Sequence, residues 1–287
     1  MTIESHDGGV DTVAYDALVI ATGVTHGFWR DDRVESLDGL ELRIVQAAAR
    51  LADARTIAVV GGGAAGVSVA DNLAQRGGAS VHLFFAGDEV LPEHRPSARR
   101  WAVRRLQRDG VVLHPGHRAL LPDGVAPDRI TDGPIEWSTA QSPFDADAVV
   151  WAVGAVRPHT SFLSPEVLDE NGFVRVNAHL QLPEQPNVFA VGDVAASDPL
   201  RSSARNWGHR VVVSNVRSVL RGRTARRRFR APAHRWGSVL GLQRDGLTVV
   251  LARGGRFRVP RRLAEPLLYG AFVTRGLYGG LRKTNDR

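Results

Sequence analysis

The chain contains no cysteine, one methionine and one lysine, Lys283, in 287 residues. Without cysteine there is no disulfide framework, no thiolate zinc or iron–sulfur site and no Cys nucleophile. No apolar run reaches the roughly 20 residues that cross a bilayer, and no apolar signal core is present at the N-terminus. The expectation is a cytoplasmic protein, with contact at the inner face of a membrane left open. There is no G-x-S-x-G and hence no nucleophile elbow. His114 and His117, separated by Pro115-Gly116, have no carboxylate or third histidine close in sequence. They read as a turn and not as a metal site.

What is present is ordinary in bulk: 43% hydrophobic and 23% charged residues, typical of a globular protein long enough for about two domains. The net charge of +7 is carried almost wholly by arginine and concentrates after residue 200. The run Arg221-Gly222-Arg223-Thr224-Ala225-Arg226-Arg227-Arg228-Phe229-Arg230 reads as a solvated linker after a helix over residues 203–220. Contact with nucleic acid or anionic lipid is the alternative, and nucleic acid is not expected as a partner.

The most informative stretch is residues 56–66. A β-branched run from Thr56 to Val60 stops at glycines. Gly61, Gly63 and Gly66 fit G-x-G-x-x-G, with Ala64 and Ala65 between, and Val67, Val69, Ala70, Leu73 and Ala74 then follow a helical period. Gly61 permits a tight turn, Gly63 lets a pyrophosphate approach the backbone, and Gly66 lets helix and strand pack closely. The helix N-terminus would receive the phosphates. A second strand, residues 80–85, stands at the distance of a dinucleotide-binding unit. Its end is Phe84-Phe85-Ala86, where an acidic residue for the cofactor ribose is expected. Asp88 or Glu89 could reach the ribose, and Arg95, Arg99 or Arg100 could hold a 2′-phosphate; solvated loop charges are the equal alternative.

Three more apolar segments end in small residues: 15–23, closing on Ala21-Thr22-Gly23; 147–154, closing on Ala152-Val153-Gly154; and 187–193, closing on Gly192-Asp193. Near the C-terminus, residues 237–242, 247–251 and 257–259 read as short antiparallel strands separated by Arg244-Asp245-Gly246 and Gly254-Gly255. The tail, residues 260–281, mixes apolar and basic residues amphipathically and reads as core packing or a dimer surface, with membrane docking as the alternative.

In this order the motifs resemble the two-dinucleotide-fold flavoprotein oxidoreductases, the pyridine nucleotide-disulfide oxidoreductase superfamily, in its apoptosis-inducing-factor-like and type II NADH dehydrogenase-like branch. The resemblance covers most of residues 10–225. It implies an α/β fold in which a Rossmann-like NAD(P)H domain is inserted into an FAD domain, followed by a small C-terminal α+β segment. The domains expected are 1–23 (FAD-domain strands), 24–153 (NAD(P)H), 154–230 (the rest of the FAD domain) and 231–287 (cap). The implied cofactors are FAD and NAD(P)H. Gly61, Gly63, Ala64, Ala65 and Gly66 would hold the nicotinamide cofactor; Thr22, Gly23 and Gly154 lie at the chain crossings, and Gly192 and Asp193 would meet the flavin ribityl. The helix after Asp193 would aim its positive end at the flavin. The implied activity is hydride transfer from NAD(P)H through flavin to a quinone, a redox protein or oxygen. The missing cysteines exclude the thiol acceptors of the disulfide-reductase branch. A homo-oligomer is left open.

Two departures qualify that resemblance. Many relatives carry Glu where this chain has Ser68, which reads as a neutral helix-surface residue. The family's first βαβ unit, with its own G-x-G-x-x-G for FAD, has no counterpart in this sequence, which begins with a hairpin at residues 2–13 turning at Asp7-Gly8-Gly9. An incomplete gene model, a truncated remnant and a second chain are the open explanations. The expectation is that the 287 residues alone bind FAD poorly and expose apolar surface around Val19, Ile20, Val188 and Phe189. The alternative functions are a nucleotide-binding remnant without redox activity and an Arg-rich interaction module on a dinucleotide-fold scaffold.

Overall fold

The computed structural model describes residues 2–4, 8–25, 36–122, 130–153 and 156–268. Gly154 and the tail beyond residue 268 lie outside them. Residue contacts divide the chain into two compact units. The first comprises residues 1–26 and 155–233; the second comprises 27–154 and 234–287. The C-terminal segment expected as a separate cap therefore groups with the inserted stretch.

The first unit opens with an antiparallel pair, β1 (Thr2–Glu4) and β2 (Val10–Thr12), the expected hairpin. β3 (Leu18–Ile20) and β4 (Val24–Thr25) follow. The chain then enters the second unit through α1 (Leu37–Asp53), capped by the Ser36 hydroxyl, which accepts from the Gly39 amide. No element was expected at α1. Its cap is legible, but Leu42, Ile44 and Val45 stay exposed, so its apolar residues do not form one buried stripe.

The second unit is a five-stranded sheet. β5 (Thr56–Val60), α2 (Ala64–Arg76), β6 (Ser80–Phe84), α3 (Pro96–Arg108) and β7 (Val112–His114) alternate, and β8 (Ile130–Ile135) and β9 (Phe144–Trp151) form a hairpin. The order is β7-β6-β5-β9-β8, parallel except for the β8 edge. Alternation along β5 serves two cores. Ile57 and Val59 face α2 and α3 with Val67, Ala102 and Leu106; Ala58 and Val60 face Phe84, Trp137 and Trp151. Burying one such large side chain contributes about 1.5–3 kcal/mol. At the start of β5, Asp147 accepts from the amides of Arg55 (2.9 Å) and Thr56 (2.8 Å), pinning that end of the strand.

The chain returns to the first unit through β10 (Arg157–Pro158), a 3₁₀ turn, β11 (Val174–Arg175), β12 (Gln181–Leu182), β13 (Gln185–Ala190), β14 (Ala195–Ala196) and α4 (Gly208–Val219). Its largest sheet has the order β12-β13-β3, with β13 and β3 parallel. The expected helix over 203–220 is shorter: residues 203–207 form a turn, and Trp207 takes a left-handed conformation (φ 63°) before Gly208. The expected apolar exposure is largely absent. Ile20, Val188 and Phe189 are buried, the last against Val211 and Val212 of α4, and only Val19 is open.

The chain ends in β15 (Leu242–Gln243), β16 (Gly246–Val250), β17 (Arg256–Val259) and α5 (Arg261–Glu265). Of the first expected strand, 237–242, only Leu242 joins the ladder, with Gln243 beyond it; Gly237 makes one further bridge to Val250. This segment is tied to α2 and α3 by a buried ionic network. Asp71 is fully buried on α2 and meets Arg105 Nε of α3 at 3.1 Å. Arg105 also reaches Asp109 (3.1 Å) and Asp245 (3.0 Å), and Asp245 takes a second arginine, Arg258, at 2.8 Å. Burial pushes the Asp71 carboxyl above its usual range despite Arg105. Burial also raises Asp245, but hydrogen bonds from Arg105 and Arg258 outweigh it and leave that carboxyl lowered.

Candidate cofactor site

The glycine motif occupies the turn between β5 and α2, and its three glycines meet different surroundings. Gly61 has φ +131°, and a side chain there would lie 2.2 Å from the Ala152 carbonyl oxygen at the end of β9. A Cβ on Gly66 would lie 1.8 Å from the Gly61 carbonyl oxygen. These two positions are closed by protein. Gly63 is different: it is exposed, and a Cβ there meets nothing within 4 Å. The structure thus separates the glycines that packing requires from the one that leaves space beside the backbone.

Gly63 is also the N-cap of α2. It offers no side-chain cap, and the helix's first turn holds no acidic residue. The amides of Ala64, Ala65 and Gly66 have no intrahelical acceptor, and the positive end of the helix dipole is uncompensated. Val67 donates to the Gly63 carbonyl at 3.0 Å, and Gly61 donates to Phe84 at 2.8 Å, so the turn is fixed from both flanks. The chain runs outward from β5 to β6 and β7, then returns to β9 on the other side of β5. The turn therefore lies at the topological switch point, at the carboxyl ends of the parallel strands, where open α/β sheets take ligands. A cavity of about 210 Å³ opens at those ends, lined by Gly61, Phe84, His117, Leu121, Trp151 and Val153 among others.

The end of β6 explains the missing acidic residue. Phe85 is buried in the α2–α3 core and packs over Gly62, where a Cβ would lie 2.8 Å from the Phe85 Cβ. A carboxylate at this position would lose its hydration. The charged candidates nearby are partly committed: Glu89 pairs with Arg99, and Arg95 donates to the Ala252 carbonyl at 2.7 Å. Asp88 and Arg100 are exposed. Asp88, Glu89, Arg99 and Arg100 border a cavity of about 480 Å³ beside Phe85. Ser68 is not a free surface residue. Its hydroxyl donates to the Leu240 carbonyl at 3.3 Å and fastens the C-terminal segment to α2.

His114 and His117 join an aromatic stack instead of a ligand set. His114 lies 4.2 Å from the Phe84 ring centroid, His117 lies edge-on to Trp137 at 5.0 Å, and His82 Nδ1 is 3.0 Å from His114 Nε2. Burial, then the neighbouring His82 and His117, pull the His114 pKa down to about 4. Burial lowers His82 as well. Among the described residues no group of three His, Asp or Glu side chains has metal-binding geometry.

In the first unit, the register Ile20↔Ala190 brings Thr22-Gly23 and Gly192-Asp193 off adjacent parallel strands at the same end of the sheet. Thr22 Oγ1 donates to the His159 carbonyl at 2.8 Å, and His159 N donates to Gly23 at 3.1 Å. Gly192 has φ +90°; its amide donates to the buried Ser203 hydroxyl at 2.9 Å. Asp193 is exposed at the tip of that turn. The helix after Asp193 begins only at Gly208, so it does not follow that residue directly. The supports His159 and Ser203 carry no sequence motif and were not foreseen.

The family model for pyridine nucleotide-disulphide oxidoreductases matches residues 1–216. The chain belongs to this family. Among its relatives in the pyridine nucleotide-disulphide oxidoreductase family, the oxidoreductase ptaL of Pestalotiopsis fici is 31% identical over 201 residues, covering 67% of this chain and 51% of the relative. The type II NADH:quinone oxidoreductase Ndh of Mycobacterium tuberculosis is 28% identical over 247 residues, covering 72% and 52% respectively. The crystal structure of LpdA from Mycobacterium tuberculosis superposes with a TM-score of 0.62 at 19% identity, covering 94% of this chain and 53% of that one; at that identity it shows the shared fold alone. The chain spans about half the length of the curated relatives it matches. No helix among the described residues is long and apolar enough to cross a membrane.

Proposed function

We propose that the protein is an FAD-dependent NAD(P)H oxidoreductase that passes reducing equivalents to a quinone or another non-thiol acceptor. The observation that carries this reading is Gly63: an uncapped, open position between two closed glycines, at the switch point of a parallel sheet. A pyrophosphate fits that space, with the Ala64, Ala65 and Gly66 amides as donors. Thr22, Gly23, Gly192 and Asp193 fit the flavin side. Asp193 is an exposed acceptor for ribityl hydroxyls, and the Thr22 hydroxyl, already donating to His159, keeps its lone pairs for a ligand. Nicotinamide and flavin, when bound, supply the hydride chemistry. The chain's own residues bind and orient them.

With no carboxylate at the end of β6, ribose recognition falls to Asp88, Arg100 and the Glu89–Arg99 pair. The names of relatives support an acceptor of quinone type, and the absence of cysteine excludes a dithiol relay in this chain. A quinone acceptor would bring the protein to a membrane surface. The direct test is Gly63→Val, which fills the open space without touching either closed glycine. NADH and NADPH affinities, read by fluorescence titration, should fall by about tenfold or more, or roughly 1.4 kcal/mol. Unchanged affinity in a folded variant sinks the assignment.

A further inference from the structure

We propose that the outer face of α4 and the arginine segment that follows it form a binding groove for a ligand carrying two or more neighbouring phosphate groups. The groove lies wholly in the first unit, is separate from the Gly63 turn and does not depend on the redox reading.

The side chains of residues 221–230 are mostly solvated, as expected of a linker, but their backbone is fastened to α4. α4 ends in the hydrogen-bond pair of a Schellman turn: Gly222 N donates to Val219 at 2.8 Å and Arg223 N to Ser218 at 2.9 Å, with Gly222 left-handed at φ +67°. The chain then doubles back along the helix and is strapped to it by Asn215, which is 1% exposed. Its side-chain carbonyl accepts from the amides of Arg226 (3.2 Å) and Arg227 (2.9 Å), and its amide nitrogen donates to the carbonyls of Arg227 (2.7 Å) and His179 (3.0 Å). Phe229 N donates to Ala178, and the Phe229 ring packs against the cluster around Phe189. The buried asparagine spends its side-chain oxygen and nitrogen on backbone groups, which fixes the course of the segment.

The strap has a consequence for charge. Arg210, Arg217 and Arg221 form one stripe along the helix at i, i+7 and i+11, and the returning strap adds Arg223 and Arg227. With His209 they line a cavity of about 610 Å³ with no acidic residue in its wall. None of the five guanidinium groups pairs with a carboxylate among the described residues. Arg210 stacks on Trp207 at 4.1 Å, which holds it in place without neutralising it. Five like charges on a fixed scaffold repel one another, and each planar fork is matched to phosphate oxygens. The stripe from Arg210 to Arg217 runs about 10 Å, the reach of a short chain of phosphoryl groups and too long for one. No Phe, Tyr or Trp lines the groove, and the His209 imidazole is its one ring, short of the run of aromatic platforms on which single-strand binders stack successive bases.

The ligand chemistry has two sources, a free oligophosphate such as a nucleotide tail or a diphosphate lipid headgroup. Calorimetric titration of the full chain with tripolyphosphate, and with orthophosphate as comparison, tests the first. Sedimentation with phosphatidylcholine vesicles, with and without cardiolipin, tests the second. Tripolyphosphate should bind saturably and more tightly than orthophosphate, and Arg217→Ser with Arg223→Ser should weaken it about tenfold or more. Asn215→Ala, which keeps every arginine but frees the strap, should weaken it as well; the surface double variant decides the matter if Asn215→Ala does not fold. Gly63→Val should leave the component lost in the arginine double variant unchanged, whatever it does to phosphate binding at its own turn, so a failure of the nicotinamide reading is seen separately. Arginine-dependent capture by cardiolipin vesicles alone assigns the groove to lipid. Binding by neither probe, equal affinity in the double variant, loss in Gly63→Val only, or a single-stranded oligonucleotide that displaces tripolyphosphate more strongly as it lengthens overturns the proposal.

Discussion

The two units carry comparable glycine-ended strands in unlike settings. In the second unit β5 is paired on both sides, by β6 and β9, and the glycines at its end are held by protein on every side but one. In the first unit β3 is the edge of a three-stranded sheet, Val19 is 43% exposed, and the turns after β3 and β13 are supported by hydrogen bonds from His159 and Ser203 respectively. A turn set between two strands tolerates substitution only where a ligand is meant to lie. A turn on an edge strand has space in most directions. The same residue type therefore answers for packing in one unit and for backbone conformation in the other.

Three measurements sharpen that contrast. The largest effect is expected from Arg105→Ala, which leaves Asp71 buried and unpaired and cuts the tie to Asp245. It should cost the second unit about 3–5 kcal/mol, seen as a lowered thermal transition in calorimetry. Retained stability would mean that Asp71 simply takes up a proton.

A smaller effect separates the glycines. Gly66→Ala forces a methyl into the Gly61 carbonyl and should cost about 1–3 kcal/mol, read by urea denaturation. Gly192→Ala meets only Ala204 Cβ at 4.0 Å, and its cost is the positive φ alone, about 1 kcal/mol. Gly63→Ala, in extended backbone, should cost nothing measurable. Equal losses at all three would erase the distinction between the units.

The smallest is a pH dependence confined to the second unit. The folded His114 titrates near 4 and the unfolded one near 6.5, so the native state binds fewer protons between those values. Stability should be fully present above pH 6.5 and decline as pH falls toward 4. His82, lowered too, adds in the same direction. His114→Phe, which keeps the stack on Phe84, should flatten the slope over that window; an unchanged slope would assign it to other groups.

Most of the fold was legible where apolar runs end in glycine, because a buried parallel strand has few other sequence patterns. Gly61 and Gly66 stand where a side chain has no room, and Gly63 has open space beside it. What escaped reading was long-range. Asp71 has only the neutral Gln75 beside it on α2, and its arginine and Asp245 lie in other elements, so the pattern of α3 looks like a solvated basic helix. Residues 221–230 looked the same until Asn215, four residues from the helix end, proved to fasten them. His159 supports its turn through its backbone carbonyl and amide, which leave no trace in residue choice, and Ser203 uses a hydroxyl eleven residues from Gly192 that no motif announces. α1 escaped because its apolar positions do not repeat on one buried stripe.

The threading of the chain bears on how it is made. Leu18 must find Val188, 170 residues later, before the first unit's sheet exists. Closing so long a loop is slow while the intervening chain is loose. On the ribosome, residues 27–154 emerge in between, and most of their five-stranded sheet can form before β13 is synthesised. That early folding shortens the effective distance the two halves of the first unit must cover. The last tie, from Asp245 to Arg105, waits for the final fifth of the chain.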